Sequence, residues 1–211
     1  MNPWPEIHRQ RLAVADLLDD LKPADWDHPS LCDGWTVRDV AAHLTLQQLR
    51  LRDVFGLVRH WKGGMHPTIQ AAARRQAAAL TPAQIVADIR DTAAARRYNF
   101  GVTPVETLID LLVHSQDIAI PLGRTHPMPP EAAAVATRRV LTMRIPPPPP
   151  SVRVVAGLHL TATDIGWSYG DGPEVRGPIA ALLLVSTGRT VALPQLTGPG
   201  AALLAARSQT A

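Results

Sequence analysis

The run of hydrophobic and polar positions divides the chain into a long helical part and a shorter tail with strand-like alternation. The most apolar stretch, Thr103 to Gly123 (TPVETLIDLLVHSQDIAIPLG), predicts a helix as far as Ile120. At roughly 100° per residue, Val105, Leu108, Leu111, Leu112, Ile118 and Ala119 cover one broad side, and Ile109, Val113 and Ile120 extend it. What remains is a single polar stripe, because Glu106, Asp110, His114 and Asp117 fall within about 80° of one another. No Lys or Arg occurs between Arg97 and Arg124. A stripe of acids and imidazole on so greasy a helix, without basic neighbours, reads as lining something inside the protein.

Upstream, Ile7, Val14, Leu17, Leu18 and Leu21 recur at helical spacing and predict a first helix over about Glu6 to Leu21, stopped by Lys22-Pro23. The segment WDHPSLCDGW, Trp26 to Trp35, is dense in turn formers and reads as a long ordered loop, with Trp35 anchoring it. A second helix starts at Thr36, where Thr36 and Asp39 resemble a capping box with Asp in place of Glu. Its buried face is Val37, Val40, Ala41, Leu44, Leu51, Val54, Phe55 and Val58, which carries it to about His60. Gln47 lies in that face, and His43 sits on its edge one turn earlier. Polar groups at the edge of a core are more informative than exposed ones.

After Gly63-Gly64, the Ala-rich run from Thr68 to Leu80 suits a helix, and Thr81-Pro82 opens another that continues to about Tyr98. Thr103, Pro104 and Glu106 open the apolar helix in the same way, and Pro121 and Gly123 close it. A further helix is expected over about Glu131 to Met143. Helices joined by turns make a four-helix bundle over residues 1–145 the natural architecture. Five prolines, Pro146 to Pro150, form a stiff spacer. Beyond it Val152, Val154, Val155, Leu158, Leu160 and Ala162 alternate through Asp164, and Gly166 to Tyr169 precedes the turn Gly170-Asp171-Gly172, which predicts strands. Pro178 to Thr187 and Gly200 to Arg207 look helical, so residues 151–211 form a small α/β domain and the whole chain is α+β.

Composition narrows the picture further. At 211 residues, 46% hydrophobic and with mean hydropathy +0.01, the chain describes a soluble globular protein, and no run approaches the ~18 apolar residues of a membrane span. The start, MNPWPEIHRQ, has no signal-peptide pattern, so a cytoplasmic location is expected. One cysteine, Cys32, excludes an internal disulfide and a cysteine-rich zinc cluster. A small hydrophobe in a loop describes Cys32 better than a catalytic thiol does. The charge is +3, yet of 21 basic residues only Lys22 and Lys62 are lysine, and the arginines are scattered rather than interleaved with aromatics. Nucleic acid is therefore not the expected partner.

The chemistry sits on two helices. Asp110 and His114 are four residues apart and project from one face, which suits either a metal or a modest contact between the two side chains. His43 from the second helix would supply a third ligand and leave one tetrahedral position open for water or substrate. Asp117, three residues past His114, suits the layer behind the ligands or the substrate.

The runs LCDGWTVRDVAAHL (Leu31 to Leu44) and DLLVHSQDIAIPLGR (Asp110 to Arg124) resemble the two signature segments of the DinB-like, mycothiol-dependent maleylpyruvate isomerase family of actinobacteria. TATDIGWSYGDG (Thr161 to Gly172), with VSTGR ending at Arg189, resembles its C-terminal domain, related in shape to sterol carrier proteins. The resemblance implies a DinB-like bundle holding a divalent metal, usually zinc, by His43, Asp110 and His114, with Asp110 standing where relatives commonly have Glu. It implies mycothiol as cosubstrate, with Gln47 the candidate cofactor-binding residue, and a small electrophilic second substrate. Asp117 and Arg189 are the candidate catalytic residues, Arg189 to orient an anionic substrate; Arg38 and Arg124 are lesser candidates. A thiol at the metal's open position loses its proton and becomes a nucleophile at neutral pH. Thiol addition, transfer or cis-trans isomerisation follows from that chemistry. The alternatives are a non-catalytic binder of metal or small ligand on the same fold, and a structural metal with function residing in a protein contact.

Overall fold

A computed structural model describes residues 2–48, 62–99 and 101–209, and its packing separates Met1–His126 from Pro127–Ala211. The first unit contains α1 (Trp4–Asp19), α2 (Val37–Thr45), α3 (Met65–Ala79), α4 (Pro82–Asp91) and α5 (Pro104–Ala119). Helix α1 packs on α4 and α5, while α2 packs on α3, α4 and α5. Their contact faces are the expected periodic ones: Ile7, Val14 and Leu18 from α1, Val37, Val40 and Leu44 from α2, and Leu108, Leu111, Leu112 and Ile118 from α5, all buried. Each such side chain contributes about 1.5–3 kcal/mol relative to exposure, so the amphipathic pattern alone brings α1, α2 and α5 together.

Local chemistry sets where the helices begin. Thr36 caps α2 by accepting from the Asp39 N–H while Asp39 Oδ2 accepts the Thr36 N–H at 3.0 Å. Thr103 caps α5 with Glu106 as its reciprocal partner, the Glu106 carboxylate accepting the Thr103 N–H at 2.6 Å. Thr81 and Gln84 do the same for α4.

Helix α4 stops at Asp91, not near Tyr98. Buried Arg11 of α1 donates from Nη1 to the carbonyls of Thr92, Ala93 and Ala95 at 3.3, 3.5 and 2.8 Å, and the Thr92 oxygen also takes the Ala95 N–H at 3.0 Å in a tight turn, so these oxygens are used without a further α-helical turn. Helix α2 gives way to a 3₁₀ turn, Leu46–Gln48. Its expected continuation to His60, with Leu51, Val54, Phe55 and Val58, lies outside the described residues.

The second unit holds α6 (Pro130–Thr142), β1 (His159–Ala162), β2 (Ser168–Tyr169), β3 (Glu174–Gly177), α7 (Ile179–Ser186) and α8 (Ala201–Gln209). The sheet order is β2-β1-β3, with β1 antiparallel to β2 and parallel to β3. Helix α6, which the sequence reading joins to the bundle, packs against α7 within this unit. The strand expected at Val152 to Val155 is a 3₁₀ turn, Pro150–Val155, that buries Val154 and Val155. Pro150 at its start fixes a helical φ, and the Val152 N–H turns back to the Pro149 carbonyl at 3.0 Å, which removes it from any ladder. Strand β3 has no signal in the sequence; EVRG is short and is fixed by pairing with β1 and by the Arg176–Thr197 bridge. The architecture is α+β, helical with one small sheet.

Candidate metal centre

Two facing helices and the loop before α2 bring the site together. Helix α2 carries His43 in its last turn, and α5 carries the stripe Glu106, Asp110, His114 and Asp117 on successive turns. Glu106 is used in the cap of α5. Of the other three, Asp110 and His114 converge with His43, and Asp117 bonds His114.

A ligating atom from each of His43, Asp110 and His114 lies within 4.8 Å of the other two. His43 Nε2 stands 3.8 Å from Asp110 Oδ2, and the two imidazole rings meet edge to face with centroids 5.0 Å apart. A hydrogen bond between His43 and Asp110 would close that gap to about 2.7–3.2 Å. Neighbouring donors around a tetrahedral ion with bonds near 2.0–2.1 Å stand about 3.3 Å apart. The separation is too long for a hydrogen bond and somewhat wider than the spacing around such an ion, and two imidazoles with one carboxylate is a donor set for zinc and its neighbours in the transition series. The side chains of His43 and His114 are 15% and 14% exposed and that of Asp110 is 44% exposed, so the group opens to solvent on the Asp110 side.

Behind His114 lies a second layer. Its Nδ1 donates to Asp117 Oδ2 at 2.8 Å, and Asp117 is fully buried. That bond engages Nδ1 and leaves Nε2 as the nitrogen available to an ion, the arrangement by which carboxylates orient metal-binding histidines. Burial disfavours a charged imidazole here, but the bonds to Asp117 and to Cys32 outweigh it, and the His114 pKa is raised to about 10. Without a cation His114 is therefore protonated at neutral pH, and a metal ion has to displace a proton to bind it.

Cys32 belongs to the same group, which loop reasoning missed. Its thiol donates to Asp117 Oδ2 at 3.1 Å and lies 3.6 Å from His114 Nδ1. No periodic signal could find it, because it comes from a loop; the one hint is its place in the run that leads to His43. Trp35, 7% exposed, covers both imidazoles, with its ring 5.4 Å from that of His43 and 6.5 Å from that of His114. Gln47 is 3% exposed, and both polar atoms of its amide are buried with no hydrogen-bond partner. His43 Nδ1 is likewise buried and unpartnered.

The arginines are placed differently. Arg189 lies in the second unit, where its Nη1 donates to the Thr187 carbonyl at 2.5 Å. Arg124 donates to the side chain and carbonyl of Asp20, and Arg38 to the Leu80 carbonyl at 2.8 Å. Both tie helices together. Among the described residues no helix is long and apolar enough to cross a membrane.

Residues 7–110 match the family model described as the mycothiol maleylpyruvate isomerase N-terminal domain, a span that includes His43 and Asp110 and stops four residues before His114. The crystal structure of the mycothiol-dependent maleylpyruvate isomerase superposes over 93% of this chain and 91% of its own, with a TM-score of 0.54 at 14% identity. A histidine-to-alanine mutant of that isomerase gives 0.55 at 15% identity over the same shares. At such identity the likeness speaks for the fold. No curated protein matches the sequence.

Proposed function

We propose, from the premise that residues 7–110 of this chain belong to the mycothiol maleylpyruvate isomerase N-terminal domain family, that the protein is a metal-dependent enzyme using mycothiol as cosubstrate. The reaction is thiol addition or transfer to a small electrophile, or its cis-trans isomerisation. The observation that carries the reading is the convergence of His43, Asp110 and His114 on one point, with His114 braced from behind by a buried carboxylate. A divalent cation held there, zinc by preference, supplies ionisation of the thiol at neutral pH and so a sulfur nucleophile for an electrophilic carbon.

The chain's own residues do the rest. His43, Asp110 and the Nε2 of His114 would hold the ion, and Asp117 keeps the proton of His114 on Nδ1. Trp35 excludes water from the side of the two imidazoles, while the exposed flank of Asp110 is where substrate enters. The unpartnered amide of Gln47 is assigned to the polar groups of the cosubstrate. Arg189 is assigned, on its sequence pattern alone, to an anionic group of the electrophile.

Metal analysis of protein purified without chelators tests the core of this. Wild type is expected to carry near-stoichiometric zinc and, with mycothiol present, either to consume the thiol on a small electrophile or to isomerise maleylpyruvate with the thiol regenerated. His43→Ala and Asp110→Ala should lose the metal and keep the fold, since neither side chain belongs to the apolar core and Asp110 is 44% exposed. Full metal content in both variants would remove the site. Stoichiometric metal with neither thiol consumption nor thiol-dependent isomerisation of any electrophile would leave a binding protein.

A further inference from the structure

We infer that Cys32 is a positioning residue for the ligand set: its thiol holds the Asp117 carboxylate in the orientation that fixes the His114 imidazole. The inference rests on the metal reading above and concerns a residue outside the ligands. Asp117 Oδ2 receives two donors, His114 Nδ1 at 2.8 Å and Cys32 Sγ at 3.1 Å. The terminal torsion of an aspartate is broad, and a second donor that reaches Oδ2 from another direction narrows the range the carboxylate plane can take. His114 then inherits that restriction.

The thiol is itself held in place by main-chain bonds. The Leu31 N–H donates to the Asp117 carbonyl at 3.1 Å, so the loop grips the same residue of α5 by its backbone and by its next side chain. Ser30 closes the loop by bonding the Trp35 carbonyl through both its N–H and its hydroxyl, at 2.9 Å each, and the Cys32 N–H donates to Ser30 Oγ at 3.1 Å. The Trp35 N–H returns to the Cys32 carbonyl at 3.0 Å. Thiol and indole are therefore parts of one short, tied turn that meets the site.

Cys32, His114 and Asp117 also form a set of donors close enough to hold an ion. Two of their separations, 2.8 and 3.1 Å, are shorter than the about 3.3 Å expected between neighbours around a tetrahedral ion, and fit a shared hydrogen. The pair His43 and Asp110, at 3.8 Å, shows the opposite spacing. The two sets share His114 and divide its nitrogens: Nδ1 goes to the brace and Nε2 to the ion.

The test uses the full chain as wild type, Cys32→Ser and Cys32→Ala, with His43→Ala as reference. Zinc is titrated against a chromophoric chelator, and cobalt is bound in place of zinc to record its visible spectrum. Cys32 is half-buried in a loop, so neither change threatens the fold. Cys32→Ala should weaken zinc on the order of tenfold and alter the cobalt bands, because the imidazole is no longer held in one orientation. Cys32→Ser, which keeps a donor, should stay near wild type in both. Equal affinities in all three, or equal loss in Ser and Ala, would overturn the inference. A near-ultraviolet sulfur-to-cobalt charge-transfer band in wild type would overturn it as well, by making Cys32 a ligand. Zinc retained in full by His43→Ala would instead strike the metal reading beneath it.

Discussion

Two buried polar clusters in the N-terminal unit use charge in opposite ways. Around Arg11, 2% exposed, a guanidinium reaches across from α1 to main-chain oxygens just past the end of α4: positive donors meet acceptors, and the carbonyls a helix end leaves over are satisfied. Around His114 the convergence has the other sign. His43, Asp110 and His114 aim lone pairs at one point, and the one acid-imidazole contact that is closed lies behind that point, at Asp117. Burial lowers the Arg11 pKa to about 10, whereas the His114 pKa is raised to about 10 because the bonds to Asp117 and Cys32 outweigh its burial. The Arg11 cluster meets main-chain acceptors from within the protein through Nη1, although Nη2 is buried without a partner. A cluster of lone pairs is complete only with a cation, and in its absence a proton occupies that role.

The comparison is broken most severely at Arg11. Replacing it by Met strips the Ala95 carbonyl of the Arg11 donor, leaves the Thr92 carbonyl only the Ala95 N–H, and should cost about 3 kcal/mol. For a chain of this size that is a fall in Tm of roughly 6–12 °C, with zinc affinity of the folded protein unchanged. An unmoved Tm would mean that Arg11 does not hold the end of α4. Asp117→Asn sharpens the other half. It keeps the shape but removes the charge that orients His114, so metal affinity should fall by about 10–100-fold by chelator competition. A variant that binds zinc as wild type would show that the brace does nothing for the ion.

What could be read from the sequence follows the same division between local and distant causes. The capping boxes at Thr36, Thr81 and Thr103 and the polar stripe on α5 are visible because their partners lie three or four residues away. His43, Asp110 and His114 could be chosen because each sits at a definite angle on a periodic helix. The end of α4 could not be foreseen, since its cause, Arg11, is more than 80 residues earlier in the chain. Cys32 failed for a related reason: a turn has no period, so nothing in WDHPSLCDGW says which side chain meets α5. Valines in the segment 150–155 suggested a strand because alternation there mimics one, and a proline-led 3₁₀ turn buries the same two residues.

A smaller effect is expected at the start of α2, which presents His43. Thr36→Ala removes the hydroxyl that accepts the Asp39 N–H at 3.2 Å, at a cost of about 1 kcal/mol in urea unfolding. Because the cap lies two turns from His43, metal affinity should change far less than in Asp117→Asn. A large affinity loss would mean that α2 is held in place by its cap more than by its packing on α3 and α5.

The smallest effect separates the two kinds of buried histidine by pH. His126, whose Nε2 is buried without a hydrogen-bond partner, has its pKa lowered by burial, the reverse of His114. In unfolded chains both titrate near pH 6.5. As pH falls below that value the unfolded chain takes up a proton that folded His126 refuses, so its share of stability is present above about 6.5 and lost at lower pH. The metal-free His114 contribution is present in full below 6.5 and lost as pH rises through about 10, so it is flat in the window where His126 acts. Urea midpoints of metal-free protein between about pH 5 and 6.5 should therefore fall less steeply in His126→Gln than in wild type, with zinc binding untouched. Identical slopes would show that the His126 imidazole reaches water and that burial at the end of α5's following turn does not hold its proton off.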